Sequence, residues 1–187
     1  MTLLLQLFWL AAPILVTGLV HLVVIKRDSL PALRRIALDA GARFRGRRVF
    51  GDNKTLRGAV LMIGGSALCS VLLAMLAKSW PVPIEFAAAH PATWGALLGT
   101  GYIVGELPNS FIKRQIGIAP GAMDSGLRGR LFWVVDQLDS LVGILLVVAP
   151  VWQPSLALVI ASVVVMLVLH PLSAWVMVLA GLKDRVG

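Results

Sequence analysis

Asp136 and Asp139 are the first residues in this chain whose type and spacing suggest chemistry. They stand three positions apart, so on a helix they share one face. They also fall inside Leu131 to Ala149, a run otherwise apolar enough to enter a membrane. An ionised carboxylate at full bilayer depth costs roughly 2.5–3.5 kcal/mol on insertion scales, so two of them need a cationic companion. A divalent metal is one answer, because Mg²⁺ takes carboxylate oxygens together with substrate phosphate oxygens and keeps some of its water. A salt bridge to arginine, or a place among lipid headgroups, is the other. The cost of intramembrane charge favours the metal.

Two further clusters carry cations. In Glu106-Leu-Pro-Asn-Ser-Phe-Ile-Lys-Arg114, Lys113 and Arg114 offer charge-assisted bonds to phosphate, and Asn109 and Ser110 offer hydrogen bonds. Taken alone, Lys-Arg reads as a topology signal; the neighbouring Pro, Asn and Ser tip it toward a site. In Gly51-Asp-Asn-Lys-Thr-Leu-Arg-Gly58, two glycines permit close backbone approach, Asp52 could reach a metal, and Lys54 and Arg57 could reach a phosphate. This string lacks the spacing of a Walker A loop. Glu106 has three readings: metal ligand, cap, or partner of Lys113. Together the clusters set metal-type carboxylates and phosphate-type cations at one membrane face, which suits a phosphorylated ligand.

The elements that must position these groups are membrane helices. The 187 residues are 58% hydrophobic and only 14% charged, with a mean hydropathy of +0.88. Soluble domains carry about 25% charged residues, so a soluble enzyme is excluded, and the apolar content excludes disorder. A span needs about 20 mostly apolar residues. Five stretches qualify as spans: 3–25, 58–77, 92–107, 131–149 and 155–182. The first is too long for a signal-peptide core and has no Lys or Arg before it, so it is expected to be retained. Gly95, Gly99, Gly101 and Gly105 form two small-xxx-small pairs in the third span, inviting close helix approach. Trp80, Trp94, Trp133 and Trp152 lie near span ends and suggest an interfacial belt.

Charge sets the orientation. Residues 26–57 hold ten Lys or Arg, residues 111–130 hold four, and Lys183 and Arg185 follow the last span. Lys78 alone falls on the other side. The positive-inside rule therefore gives an all-α, multi-pass protein in the cell (inner) membrane. Its N-terminus is outside, its C-terminus is cytoplasmic, and 26–57 and 111–130 are cytoplasmic loops. The first loop is expected to carry an amphipathic helix around Leu30 to Leu38 on the membrane surface; the second reads as irregular. The +8 net charge is explained by anionic lipid and phosphate, so nucleic acid is not a partner. The single cysteine, Cys69, can form no internal disulfide and anchor no cysteine zinc site. His21 and His170 read as packing or interfacial groups and His90 as exposed, and no nucleophile–base pair supports covalent catalysis.

With these strings in hand, the chain resembles the CDP-archaeol synthase family, within the wider CTP-dependent lipid cytidylyltransferases that include phosphatidate cytidylyltransferase. The resemblance rests on GDNKTLRG (Gly51 to Gly58), GELPNSFIKRQIGIAPG (Gly105 to Gly121) and DQLDS (Asp136 to Ser140), in family order. It implies CTP and a lipid phosphate, phosphatidate-like or archaeal diether-like, reacting to CDP-lipid and pyrophosphate with Mg²⁺ at a cytoplasmic site. On that basis Asp136 and Asp139 hold Mg²⁺, Lys113 is catalytic, and Asp52 and Glu106 are further metal ligands. Asn53, Lys54, Arg57, Asn109, Ser110 and Arg114 bind substrate, and a lipid groove runs between the third, fourth and fifth spans. Ala119 stands where the archaeal pattern tends to have Lys, and 122–131 is longer than expected; both bear on the lipid more than on the CTP chemistry. A CDP-alcohol phosphotransferase would need a longer Asp-rich string than Asp136-x-x-Asp139. A non-catalytic membrane scaffold or small transporter is the alternative from another class.

Overall fold

The computed structural model describes residues 2–77, 81–122 and 124–179. Among them, five helices run 21 to 25 residues: α1 (Thr2–Lys26), α3 (Leu56–Leu76), α5 (Pro91–Gln115), α6 (Gly126–Val148) and α7 (Leu156–Leu179). Two short helices, α2 (Pro31–Arg34) and α4 (Glu85–Ala89), and a two-stranded antiparallel ribbon, β1 (Arg43–Phe44) with β2 (Arg47–Arg48), occupy the connections. Three of the long helices, α1, α3 and α6, are apolar and long enough to cross a membrane, and Leu156–Val168 of α7 is a shorter apolar stretch. The chain is thus a helical membrane protein. Residues 180–182 of the expected fifth span, Trp80, Lys78 and the Lys183–Arg185 tail lie outside the described residues.

Helix α5 is the centre of the bundle, packed on α3 along one side and on α6 along another; α1 lies on α3, and α7 on α6. Its four glycines divide between these neighbours. A Cβ on Gly95 or Gly99 would land on the α3 backbone at Ser66 or Met62. One on Gly101 or Gly105 would land on the α6 backbone at Ile144 or Asp139. The two small-xxx-small pairs therefore serve two different helix contacts. Lipid tails supply no hydrophobic drive between helices, so such backbone proximity is what holds them.

The bundle has an apolar core around Trp94, Leu98 and Ile144, and unlike a soluble protein it is apolar on the outside as well. Thr17, Ser66, Ser70, Ser140 and Ser162 are buried, while Leu19, Leu68, Leu146 and Ile160 are exposed on the outer faces of α1, α3, α6 and α7. The core also solves a backbone problem. Pro13 lies inside α1 and has no N–H, which leaves the carbonyl four residues earlier without its helical donor. That carbonyl belongs to Trp9, and it accepts the indole N–H of Trp94 at 3.1 Å. Trp94 is fully buried, set edge-on to Trp152 with ring centroids 5.5 Å apart. The interfacial role expected for Trp94 is therefore corrected: its ring is a core anchor, because Pro13 created an acceptor that only a buried donor could satisfy.

At the opposite end, the first long connection folds on itself. The amphipathic helix expected over Leu30 to Leu38 is reduced to the single turn of α2. Beyond it, the backbone turns to pair with the returning chain: the Leu38 N–H donates to the Lys54 carbonyl and the Leu56 N–H to the Ile36 carbonyl, both at 2.8 Å. Cross-chain pairing claims the groups a longer helix would have used internally. The second connection is also more ordered than expected, since α5 continues to Gln115 and α6 begins at Gly126.

Two substitutions test this packing. Trp94→Phe strands the Trp9 carbonyl in the core and should lower the detergent-solubilised protein's stability by about 1–3 kcal/mol. Gly99→Leu should cost at least about 1–3 kcal/mol by overpacking against α3. Gly64→Ala, whose Cβ meets nothing within 4 Å, serves as the control and should leave the thermal midpoint unchanged or raised.

Candidate active site

The contact between α5 and α6 sets the register of the site. The helices are antiparallel, with Gly101 against Gly143 and Ile144, and Gly105 against Asp139 and Ser140. Moving four residues along α5 therefore moves four back along α6. One turn beyond Gly105, Asn109 arrives between the two α6 acids: its Nδ2 donates to Asp136 Oδ1 at 2.6 Å and to Asp139 Oδ2 at 2.7 Å. One further turn brings Lys113 onto Asp136, with 2.6 Å to Oδ2 and a shorter contact to Oδ1. The Lys113 ammonium also lies 5.5 Å from the centre of the Phe132 ring. Asp136 and Asp139 are thus joined to Asn109 and Lys113, as one constellation.

Tyr102, Glu106, Asn109 and Lys113 follow one another at intervals of four, three and four, so they line a single face of α5. Glu106 is paired with Lys54 from the first loop, and Tyr102 stands one turn before it on the same helix face. Of its three sequence readings, the expected pairing with Lys113 is replaced by Lys54, because Lys113 is already held by Asp136. Arg114 is buried, and its Nε and Nη1 have no hydrogen-bond partner among the described residues. A buried guanidinium with unpaired N–H groups is costly and is suited to receive an anion. Ser110 is buried one turn before it.

The remaining residues singled out in the first loop go elsewhere. Asp52 is 83% exposed and paired with Arg48 at 2.5 Å. Arg57 is buried against the end of α1, donating to Asp28 at 3.3 Å and to the Ser29 carbonyl at 3.1 Å. Asn53 is exposed beside Gly51. None of these three contacts the α6 acids. Arg57 instead ties the α1 exit to the α3 entrance, and Asp52 neutralises a loop arginine.

Among the described residues no group of three or more His, Cys, Asp or Glu side chains converges. The donor set available to a cation is therefore Asp136, Asp139 and an amide. Asn109 Oδ1 is buried without a partner among the described residues, on the same amide whose Nδ2 faces both carboxylates. Amide oxygen and nitrogen exchange places by a flip, so this set can present oxygen alone. Oxygen-only donors are what hard divalent cations take, and the residues fit such an ion.

Next to this polar face lies a cavity of about 440 Å³ between α1, α6 and α7, with Met62 of α3 and Tyr102 of α5 completing its wall. Its walls are almost wholly apolar, with Leu10, Ile14, Met62 and Ile144 among them; Tyr102 and His21 are among its few polar groups. Because Tyr102 lines the cavity and precedes Glu106 by one turn on the same face of α5, the apolar cavity abuts the charged stripe. The groove expected between the third, fourth and fifth spans differs from this cavity, which α1 lines most extensively and α5 touches through Tyr102. Tyr102 escaped the sequence reading, although its spacing from Glu106 was the available signal. No sequence signal marked His21, whose proximity to Gly58 comes from helix packing alone.

The family model for CarS-like CDP-archaeol synthase matches residues 1–186. Curated relatives include a CDP-archaeol synthase from Methanospirillum hungatei, 35% identical over 68% of this chain and 72% of its own. Another, from Halobacterium salinarum, is 35% identical over 79% of this chain and 81% of its own. A solved structure described as an intramembrane enzyme for archaeal membrane lipids biosynthesis shares the fold. Its TM-score is 0.62, at 24% identity over 90% of this chain and 92% of that one. With its whole helical bundle and all three motif strings inside the match, the chain belongs to the CDP-archaeol synthase family.

Proposed function

We propose that this protein transfers the cytidylyl group of CTP to the phosphate of a membrane glycerol diether lipid, producing CDP-archaeol-type lipid and pyrophosphate. The observation that carries this reading is the adjacency of the charged α5–α6 constellation to the apolar cavity. One half suits a nucleoside triphosphate and the other a lipid chain. A lipid phosphate oxygen attacks the α-phosphorus of CTP, a new P–O bond forms, and the bond to the β-phosphate oxygen breaks as pyrophosphate leaves. The phosphomonoester is already anionic near neutral pH, so the reaction requires no strong base. Positioning and charge neutralisation supply the catalysis.

Lys113, Arg114 and Lys54 are the cations for the phosphates, with Ser110 and Asn109 as hydrogen-bonding groups. Mg²⁺, held by Asp136 and Asp139 with the Asn109 amide oxygen, would neutralise charge on the triphosphate and leaving group. The family's curated members support the diether over a diacyl substrate, since those relatives are CDP-archaeol synthases. Charge asymmetry supports five spans with the N-terminus outside and the site facing the cytoplasm, where CTP arrives from water and the lipid arrives laterally.

The decisive measurement is pyrophosphate release by the detergent-purified protein with CTP, Mg²⁺ and a panel of diether and diacyl glycerol phosphates, with ATP and GTP as controls. Release with CTP and the diether is expected; release with the diacyl lipid alone would reassign the substrate. No release from folded protein with any lipid would favour a scaffold or transporter. Asp139→Asn should lower kcat about 10²–10³-fold, the usual cost of one electrostatic contact at a reacting centre, with the fold intact. Lys113→Ala should raise KM for CTP about tenfold or more. Full activity in Asp139→Asn removes the metal assignment, and an unchanged KM in Lys113→Ala returns that residue to a topological role.

A further inference from the structure

The folded shape of the first loop depends on a carboxylate outside the three motif strings. Asp39 has only 1% of its side chain exposed, yet its two oxygens accept five hydrogen bonds. Oδ1 takes Arg48 Nη2 at 2.5 Å and the Gly41 N–H at 3.1 Å. Oδ2 takes the consecutive N–H groups of Phe50 and Gly51, at 2.9 and 3.1 Å, and Arg48 Nε at 3.3 Å. Burial alone would raise the Asp39 carboxyl, but the guanidinium and the three backbone N–H groups outweigh it and hold the group well below the usual carboxylate range. The charge therefore persists throughout the neutral range.

This hub is riveted to the end of α5. The Arg47 guanidinium donates to the Gln115 carbonyl, and Gln115 Nε2 returns a bond to the Arg48 carbonyl at 3.2 Å. Phe44 packs on Phe111 with ring centroids 5.7 Å apart. Gly51, whose N–H Asp39 holds, has φ +96°, and a Cβ there would lie 3.1 Å from the Pro120 ring and 3.6 Å from Arg114 Cδ. The turn continues through Lys54, whose N–H donates to the Gly51 carbonyl at 3.3 Å and whose ammonium reaches Glu106. One buried anion thus connects the loop backbone to two of the cations assigned above to phosphate.

We propose that Asp39 is a positioning residue for the nucleotide: it holds the Gly51–Lys54 turn against Arg114, so that Lys54 and Arg114 face the same triphosphate. This inference rests on the cytidylyltransferase reading. It predicts a defect in CTP recognition that the lipid side of the site does not share. Asp39→Asn keeps the volume but loses the charge, and its amide nitrogen confronts donors. Gly51→Ala moves the same turn while leaving the Asp39 side chain and its charge in place, because its backbone conformation disfavours a Cβ and Pro120 leaves it little room.

The test is calorimetric titration of Mg²⁺–CTP into purified full-length protein, with steady-state kinetics and thermal midpoints alongside. Asp39→Asn and Gly51→Ala should each weaken CTP binding about tenfold and raise KM for CTP to match. KM for the lipid phosphate should stay within about twofold, since no Asp39 contact reaches the cavity. If Asp39→Asn does not fold, Gly51→Ala carries the test. Unchanged CTP affinity in the folded variants, or equal losses toward CTP and lipid, would overturn the positioning role. A wild-type chain that binds no CTP would instead overturn the functional reading, and this inference with it.

Discussion

The close antiparallel contact between α5 and α6 is the constraint on which the rest of the site depends. Glycines at 101, 105 and 143 remove the side chains that would otherwise separate the two backbones. Asn109 and Lys113 can then span to Asp136 and Asp139 with short side chains or favourable reach, one and two turns beyond the contact. Had the helices met through leucines, the axes would stand farther apart and one amide could not bridge both acids. The price of that proximity is a pair of carboxylates in an apolar bundle, and Asn109 and Lys113 are what make the pair tolerable.

A bilayer changes which residues count as core. Lipid solvates leucine as well as a protein interior does, so aliphatic side chains sit on the outer faces as well as in the core, and small hydroxyl residues (Thr17, Ser66, Ser70, Ser140 and Ser162) share the interior with Leu98, Ile144 and Val148. The same solvent makes every unpaired backbone group expensive. Pro13 illustrates this: the acceptor it frees at Trp9 is answered by the Trp94 indole from α5, joining the first helix to the central one. The charged end obeys another logic. There the first loop is organised by ion pairs and backbone bonds around Asp39 and Arg48, and it packs on the end of α5 through Arg47 and Gln115.

These two ends define a division of labour within one small bundle. The charged face of α5, with Lys54 from the loop and Arg114 behind it, offers cations of two geometries, a point charge and a planar fork. The apolar cavity begins beside Tyr102 and extends among α1, α6 and α7. Tyr102 belongs to both halves, since it lines the cavity and shares a helix face with Glu106. A substrate with an anionic head and a hydrocarbon body matches this layout, and a purely soluble or purely apolar ligand would leave half of it unused.

Much of this was legible in the linear order of residues. Apolar run lengths located the long helices, the ten basic residues of 26–57 marked one end, and Asp136-x-x-Asp139 with Lys113-Arg114 singled out charged groups at the α5–α6 contact, because these depend on local spacing and transfer cost. The pairing of the glycines into two separate contacts, the exchange of Glu106 from Lys113 to Lys54, the diversion of Arg57 to Asp28 and Asp52 to Arg48, and the core role of Trp94 were not legible. Each depends on which residues from distant parts of the chain come into reach, and several partners compete for the same charge in the sequence. The residues and their helical faces were determined by the sequence alone; only the tertiary structure decided the partners, because ion pairs and hydrogen bonds act over a few ångströms and helix packing sets those distances.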